Sequence, residues 1–361
     1  MSISKCKMEL QTFLQPQKVK ECKVIVMPDF FLDRLINLEW GFAEFSELVE
    51  AVEKRKGGSI DEIPQTDQPG GNAINVASAL TQLGVKVTPI VCTSEFGLQQ
   101  IRQYFKNSPI DTSQVQTCGK ASITTALEFK NKDEKTNVML RDLGALSDFG
   151  PANLGESDYA LIADADYVCL FNWAGTVKFG TDLAQAVFGQ AKQSRKGKTY
   201  YDTADPTTNA KAIPDLMDKV LKTNKIDILS LNENEAITYA SLLEEDLKEQ
   251  KERLGFAELA MEAARILAKH VPARIDLHTT DFSATLKGSR EVVVPTFKVK
   301  VLRATGAGDA WCAGNILADH NGLSDECRLT LANASAACYL SDSDGQHPNK
   351  QRIANFLRTQ P

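Results

Sequence analysis

The sequence predicts an α/β protein built on a mostly parallel sheet, because short β-prone runs alternate with segments of helical periodicity. The β-prone runs are KVIVM (23–27), KVTPIV (86–91), DYVCLF (166–171), KTYYD (198–202) and IDILSL (226–231). The 361 residues, 43% of them apolar, are enough for one large core. We therefore expect a single domain over residues 1–361 with a smaller appendage.

The helices between these runs are predicted from their period and their boundary residues. In NAINVASALTQLG (72–84), apolar residues recur on one face and Gly84 marks the end of the helix. The residues expected to face inward are Ile74, Val76, Ala77, Leu80 and Leu83. The charge run EEDLKEQKERLG (244–255) has helical spacing and is expected to be a solvated helix face.

Two regions interrupt the alternation of strands and helices, at about residues 34–42 and 120–141. In the second region, β-prone runs flank the polar turn KNKDEKTN (130–137), which is typical of a hairpin. We therefore expect these two regions to form the small β appendage.

Composition excludes several classes of partner. The chain has 41 basic and 47 acidic residues, a net charge of −6, and no dense basic cluster, so neither nucleic acid nor a membrane is expected as a partner. Eight cysteines lack any metal-type or disulfide-type spacing and are expected to be free thiols in a reducing compartment. Because neither a secretory signal nor a run of about 18 apolar residues occurs, we expect a cytoplasmic protein.

The stretch RATGAGDAWCAG (303–314) places glycines directly before a helix. Gly306 and Gly308 allow the backbone to approach an anion, and the amide groups of the first helical turn would stabilise it. Asp309 in that turn can accept a proton from a hydroxyl group. The alternative is a purely structural turn, in which Thr305 caps the helix and Asp309 complements its dipole.

Two further stretches carry polar residues at the start of predicted helices. In PGGNAINVASALTQLG (69–84), paired glycines precede Asn72 and Asn75, which suits a polyhydroxylated ligand or a simple asparagine cap. In LSLNENEA (229–236), Asn232 and Glu235 suit either hydrated Mg²⁺ beside phosphates or a capping box. The chain contains neither the GxGxxG nor the GxxxxGK[ST] pattern.

Taken in order, these stretches resemble the ribokinase-like (PfkB) carbohydrate kinase family. GGNAIN with VASALTQLG is similar to the family's N-terminal signature, and TGAGDAWCAG is similar to its C-terminal one. NENE (232–235) resembles the family's NxxE element, and PDFFLDRLI (28–36) resembles its aspartate-bearing loop. The resemblance spans about residues 22–358.

The resemblance implies a three-layer αβα sandwich with a mostly parallel central sheet and a small β-lid over the acceptor site. The lid would come from about 34–42 and 120–141, with a helical insertion at about 43–66. It further implies transfer of the γ-phosphoryl group of ATP to a sugar hydroxymethyl group.

The resemblance also implies roles for individual residues. Asp309 would be the base, with Gly306, Ala307 and Gly308 as the anion hole. Asn232, Glu235, Thr305 and Asn333 would lie on the nucleotide side, and Glu235 would hold Mg²⁺ through water. The positions implied for the acceptor are Asp33, Gly70, Gly71, Asn75, Asn172 and Trp173.

The sequence departs from the family pattern at three places. Arg303 stands where many members have an aspartate that helps hold a monovalent cation. The arginine would either supply permanently the positive field that the cation provides elsewhere or simply point to solvent, and under both alternatives we expect little dependence on K⁺. The usual glycine-rich nucleotide loop reads LHTTDFSA (277–284), in which His278 is expected to be a packing residue. The insertion at 43–66 would either cap the acceptor pocket or serve a partner chain, and a homodimer through the β-lid is a candidate assembly.

Three functional hypotheses follow. The first is an ATP-dependent sugar kinase. The second is a nucleoside kinase, in which aromatic side chains would stack on a purine; the candidates are Phe30, Phe31, Trp40 and Trp173. The third is a catalytically silent relative that only binds ligands, which Arg303 and the glycine-free loop would favour and the intact GAGD sequence disfavours.

Overall fold

The centre of the protein is an eight-stranded sheet, seen in a computed structural model that describes residues 3–15, 20–131, 134–244, 246–247, 254–303 and 305–360. Its strand order is β14-β13-β12-β11-β10-β9-β1-β4. The strands are β1 (Lys23–Met27), β4 (Lys86–Pro89), β9 (Tyr167–Phe171), β10 (Lys198–Asp202), β11 (Ile228–Leu231), β12 (Arg274–His278), β13 (Phe282–Lys287) and β14 (Arg290–Pro295). The six strands from β4 to β12 run parallel, and β13 runs antiparallel to both of its neighbours.

Alternate residues of the central strands enter two separate apolar cores, as expected for a sheet covered on both faces. Along β1, Val24 and Val26 enter one core, whereas Ile25 and Met27 enter the other. The sandwich therefore has three layers, αβα, as predicted.

Helices cover both faces of this sheet. The first face carries α1 (Ile3–Phe13), α3 (Asn72–Gln82), α10 (Ala307–His320), α11 (Asp325–Leu340) and α12 (Lys350–Thr359). The second face carries α5 (Glu156–Asp164), α6 (Gly180–Ser194), α7 (Ile213–Leu216), α8 (Glu233–Ala240) and α9 (Phe256–His270). The remaining helices are α2 (Phe42–Lys54) and α4 (Glu95–Tyr104). Within the described part of the chain, no helix is both long and apolar enough to cross a bilayer.

A second sheet of four strands stands apart from the first, in the order β3-β2-β7-β8. Its strands are β2 (Phe31–Asn37), β3 (Gln65–Gly70), β7 (Ser122–Asn131) and β8 (Glu134–Asp142). A short parallel pair, β5 (Cys92–Thr93) and β6 (Gln116–Thr117), completes the strands. We call the four-stranded sheet the lid sheet.

The lid sheet differs from its expected composition in two ways. Its first strand covers 31–37 rather than 34–42, and a further strand at 65–70 lies at the end of the segment predicted as a helical insertion. The strand QTDQPG has no β-prone run of its own, so its pairing with β2 is what makes it a strand. Residues 132 and 133 of the predicted hairpin turn lie outside the described residues, as do 245 and 248–253 of the charge run.

The insertion contributes the helix α2, whose side chains are all at least partly exposed. Phe42 and Phe45 pack edge to face on Phe129 of β7, with ring centroids 5.7 and 5.8 Å apart. Because residues alternate along a strand, Phe129 lies on the face of the lid sheet opposite to Thr124, which is Asp33's cross-strand partner. The insertion helix therefore packs on the outer side of the lid sheet.

Candidate active site

The GAGD sequence forms a turn that opens α10. Gly306 has φ = +95°, a left-handed conformation that favours glycine, and a Cβ there would lie 2.6 Å from the hydroxyl of Tyr339. That hydroxyl donates to the carbonyl of Thr305 at 2.8 Å, which fixes the entry to the turn. The first hydrogen bond of the helix runs from Ala310 N–H to Gly306 O, so the preceding amides lie at the positive end of the helix dipole.

Asp309 is buried in the first turn of α10 and is held by two carboxamides. The Nδ2 groups of Asn72 and Asn75 donate to its two carboxylate oxygens at 3.0 and 2.9 Å. Burial raises the pKa of Asp309 to about 8, the two carboxamides oppose this rise, and the charges of Asp202 and Asp29 add to it. A carboxylate with such a pKa is a stronger base than an exposed aspartate.

Asp29 holds in place the helix start that carries the two carboxamides. The sequence did not identify it as a site residue. Its buried carboxylate accepts the backbone N–H groups of Asn72 and Ala73, both at 2.9 Å, and Nδ2 of Asn172 at 2.8 Å. It thereby fixes the start of α3, from which Asn72 and Asn75 reach Asp309. The signal in the sequence was a carboxylate two residues after the end of a buried parallel strand.

Asp33 lies on β2 and faces the active-site side of the lid sheet. The strand register places Gln68 and Thr124 beside it on the same face, with Arg141 next to Thr124. Burial raises the pKa of Asp33 to about 6, while the hydroxyl of Thr124 lowers it by hydrogen bonding. One carboxylate oxygen of Asp33 is buried without a hydrogen-bond partner among the described residues.

Gly70 and Gly71 leave the space that the side chains of Asp33 and Asp29 occupy. A Cβ on Gly70 would lie 2.0 Å from Oδ2 of Asp33, so any other residue would displace that carboxylate. Gly71 has φ = +92°, and a Cβ there would lie 3.0 Å from the carbonyl oxygen of Asp29. Glycine at both positions thus permits close approach of two acidic side chains.

Two cavities lie on either side of the turn at 305–309. The first, which we call the apolar cavity, has about 500 Å³ and is lined by Ala307 and Gly308 from the turn and by Phe297, Val301, Ala336 and Leu340. The second, which we call the lid cavity, has about 560 Å³ and is lined by Asp33, Gln68, Asn75, Arg303, Thr305 and His347. The turn therefore separates an apolar space from a polar one, with Asp309 buried beside it.

The NENE element forms a capping box at the start of α8. Asn232 Oδ1 accepts Glu235 N–H at 3.0 Å, and the Glu235 carboxylate accepts both N–H and Nδ2 of Asn232, at 2.9 and 2.7 Å. Burial first, and then the charge of Asp202, raises the pKa of Glu235 well above its usual range. This geometry is the structural alternative that the sequence left open.

Asp202 is a second residue that the sequence reasoning did not single out. It ends β10, and its charge raises the pKa of both Glu235 and Asp309. Carboxylate oxygens are the ligands that Mg²⁺ prefers, and a cation would relieve their mutual repulsion. The residues present therefore fit Mg²⁺. Asp202 is the less engaged of the two, because among the described residues its carboxylate accepts only long hydrogen bonds from Ala204 N–H at 3.3 Å and Cys312 Sγ at 3.6 Å, whereas Glu235 accepts two at 2.9 and 2.7 Å.

Three predicted site residues have side chains that already form hydrogen bonds within the protein. Asn333 accepts Trp311 Nε1 at 2.9 Å and donates to Pro295 O at 3.1 Å, although it also lines the apolar cavity. The side chain of Asn172 donates to the carboxylate of Asp29 at 2.8 Å and accepts Gly175 N–H of its own turn at 3.0 Å. Trp173 is buried and donates to Thr181 Oγ1 at 3.1 Å.

The glycine-free loop is a tight hairpin turn between β12 and β13. Thr279 N–H donates to Phe282 O at 2.9 Å, and Thr279 and Thr280 line the apolar cavity. His278 packs against Trp311 with ring centroids 4.9 Å apart and ring planes inclined at 35°, and it also lines the apolar cavity. Small polar side chains thus line the cavity where the family pattern has glycines.

Solved structures with the same fold include kinases of sugars and of nucleosides. The ribokinase of Arabidopsis thaliana complexed with ribose and ATP has a TM-score of 0.70 at 16% identity, over 94% of this chain and 99% of that chain. The adenosine kinase of Sinorhizobium meliloti has a TM-score of 0.71 at 15% identity, over 94% and 99%. The ribokinase of Thermotoga maritima has a TM-score of 0.68 at 15% identity, over 94% and 100%. The fold is therefore ribokinase-like.

The family follows from the sequence itself. The model of the pfkB family of carbohydrate kinases matches residues 43–352, most of the chain. The chain belongs to this family, and it is accordingly placed among the phosphotransferases. A search of the curated proteins found no match.

Proposed function

We propose that the protein transfers the γ-phosphoryl group of ATP to a hydroxymethyl group of a sugar. The observation that carries this proposal is the position of the turn at 305–309, which lies between an apolar cavity and a polar one. The apolar cavity suits a nucleotide base, and the lid cavity suits a hydroxylated acceptor. The turn would then be the place where the two substrates meet.

In this proposal Asp309 is the general base. Asn72 and Asn75 hold its carboxylate, and the raised pKa suits proton transfer from an alcohol near neutral pH. The proton moves from the acceptor hydroxyl to a carboxylate oxygen of Asp309 while the hydroxyl oxygen bonds to the γ-phosphorus and the bond to ADP breaks. The amides of Ala307 and Gly308 would stabilise the charge on the transferring group.

The remaining residues position the substrates. Asp33 would accept hydroxyl groups of the acceptor, because it faces the lid cavity with an unpartnered oxygen. Asn172 would act through Asp29, and Asn333 would shape the wall of the apolar cavity. When bound with ATP, Mg²⁺ would be held by Asp202 and Glu235, mainly through water, and would supply positive charge to the phosphate oxygens.

A nucleoside acceptor is less well supported than a sugar. Three of the four aromatic side chains considered for stacking are buried in the core, namely Phe30, Phe31 and Trp173. A silent relative is also less well supported, because Asp309 and its two carboxamides form a complete hydrogen-bonded unit.

The experiment is an ATP-consumption screen with free sugars, sugar acids, sugar phosphates and nucleosides, in which the phosphorylated product is identified by mass spectrometry. We expect turnover with members of at least one sugar class. Turnover with nucleosides alone would favour the nucleoside kinase, and no turnover at all would favour the silent relative.

A further inference from the structure

The lid cavity contains an arginine whose charge has no acidic partner. Arg303 enters the cavity from the segment before the GAGD turn, and it is only partly exposed. Among the described residues, no carboxylate lies within ion-pair distance of its guanidinium, although 19 other lysines and arginines are ion-paired.

The groups in direct contact with Arg303 are neutral. The guanidinium donates to the amide oxygen of Gln68 and interacts with the phenol of Tyr339. It also lies near His347, whose pKa falls to about 4 because of burial and the charge of Arg303. Neutral imidazole and amide groups do not neutralise a guanidinium, so its charge remains available to a ligand.

The fold makes room for this side chain. A Cβ on Gly345 would lie 2.6 Å from Nη1 of Arg303, and Gly345 itself has φ = +66°. The loop at 343–347 therefore accommodates the guanidinium within the cavity wall. Because this half-buried arginine is already held in one position, little further side-chain entropy is lost when a ligand binds.

A second cation lies at the other end of the same row of the lid sheet. The paired residues Gln68, Asp33, Thr124 and Arg141 form one row across the four strands. Arg303 contacts the Gln68 end of the row, and Arg141 lies at the opposite end, over the ring of Phe31 at 5.0 Å. Both guanidinium charges lower the pKa of Asp33, which burial raises.

The other charged groups of the lid cavity do not neutralise the guanidinium of Arg303. Asp67 is paired with Arg34 on the outer side of the strands, and Asp344 is exposed at the rim. Asp33 lies beyond ion-pair distance of Arg303, with Gln68 between them in the row. A ligand can therefore place hydroxyl groups at Asp33 and a separate anionic group at Arg303.

From this arrangement, and resting on the kinase function proposed above, we propose that the acceptor is an anionic sugar whose carboxylate or phosphate group binds Arg303. Guanidinium groups bind both anions in a bidentate manner, and the two share this chemistry. The hydroxymethyl group to be phosphorylated would then point toward Asp309, with the anionic group at the Gln68 end of the lid sheet.

The test measures binding without turnover, by calorimetry on the full chain in the absence of nucleotide. Each neutral hexose and pentose of a panel is compared with its own aldonic or uronic acid and with its own phosphate ester. We expect at least one anionic sugar to bind ten-fold or more tightly than its neutral parent. The acid and the phosphate arms show which of the two anions is preferred.

Three variants assign the effect to Arg303. Arg303→Gln should reduce the preference for the anionic sugar by ten-fold or more, and Arg303→Lys should retain part of it. Arg34→Ala, which removes a cation from the outer face of the same lid sheet, should leave the preference unchanged. The affinity for ATP should change less than two-fold in all three variants.

Several outcomes would overturn the inference. The first is that neutral sugars bind as tightly as the anionic sugars, or more tightly. The second is that the preference for the anionic sugar is lost in Arg34→Ala but not in Arg303→Gln. The third is that Arg303→Gln weakens ATP binding instead of acceptor binding. Turnover restricted to neutral sugars would overturn this inference and leave the kinase function intact. Arg303-dependent binding of an anionic sugar without any turnover would support the anion site and overturn the proposed kinase function.

Discussion

Asn75 donates a hydrogen bond of 2.9 Å to Asp309, although the two residues are 234 positions apart in the chain. Asn72 donates to the other oxygen of the same carboxylate. The contact joins the N-terminal motif on α3 to the C-terminal motif on α10. The two sequence patterns that suggested ligand binding independently therefore form one unit around a single carboxylate.

The pH dependence of activity should follow the ionisation of Asp309. Burial raises its pKa to about 8, and a general base acts only when it is deprotonated. We expect kcat/KM to rise with pH and to level off above about pH 8. A profile that is already flat from pH 6 upward would contradict this assignment of the base.

Stability should show the opposite dependence on pH. Because the folded pKa of Asp309 lies above the unfolded value, ionising it in the folded state costs about 1.4 kcal/mol per pKa unit. That cost is absent below the unfolded pKa and grows as pH rises toward 8. We expect the melting temperature of Asp309→Asn, relative to the unmodified protein, to increase between pH 5 and pH 8.

The acceptor side can be tested through Gly70. Gly70→Ala would place a methyl group against the carboxylate of Asp33 and displace it, so acceptor binding should weaken by roughly 1–3 kcal/mol. Asp33→Ala should produce a loss of similar size, and ATP affinity should hardly change. Gly189→Ala on α6, where the added methyl group meets nothing within 4 Å, is the matched control. Loss of ATP binding with intact acceptor binding would mean that the two cavities have been assigned the wrong way round.

The nucleotide side can be tested by filling the apolar cavity. Ala336 lines this cavity from α11, and Ala336→Phe would occupy part of its volume. ATP affinity should fall by about tenfold or more, which corresponds to about 1.4 kcal/mol. Acceptor affinity, measured by calorimetry without nucleotide, should not change. Normal ATP binding in this variant would place the nucleotide elsewhere.

Monovalent cations should have little effect on the rate. Arg303 has no lone pair with which to coordinate K⁺, and its charge repels a cation beside the GAGD turn. Activity should therefore be equal in sodium, potassium and tetramethylammonium buffers of the same ionic strength. Activation of several-fold by K⁺ alone would show that a cation site persists despite the arginine.

Much of the fold could be predicted from the sequence, because the parallel strands and the helix α3 follow simple apolar periodicities. The five predicted strands of the main sheet agree with the observed ones to within about two residues at their ends. The strand β3 could not be predicted, because QTDQPG contains a single β-prone residue, Thr66, and depends on pairing with β2.

The site was predicted less completely than the fold. The stretch around Asp309 carries a clear motif, whereas Asp29 and Asp202 are marked in the sequence only by their positions at or just after the ends of parallel strands. The placement of Arg303 could not be derived, because it depends on the distant loop at 343–347 and on Gln68. Ala304, next to it, lies outside the described residues.

The central claim is that Asp309 is the base of a phosphoryl transfer, and the most direct test compares kcat of Asp309→Asn with that of the unmodified protein, using the best acceptor from the screen. Acceptor and ATP affinities, measured by calorimetry, serve as the control for an intact fold. We expect kcat to fall by about 10² to 10⁴ while both affinities stay within a few-fold. A variant that retained nearly full turnover would falsify the claim.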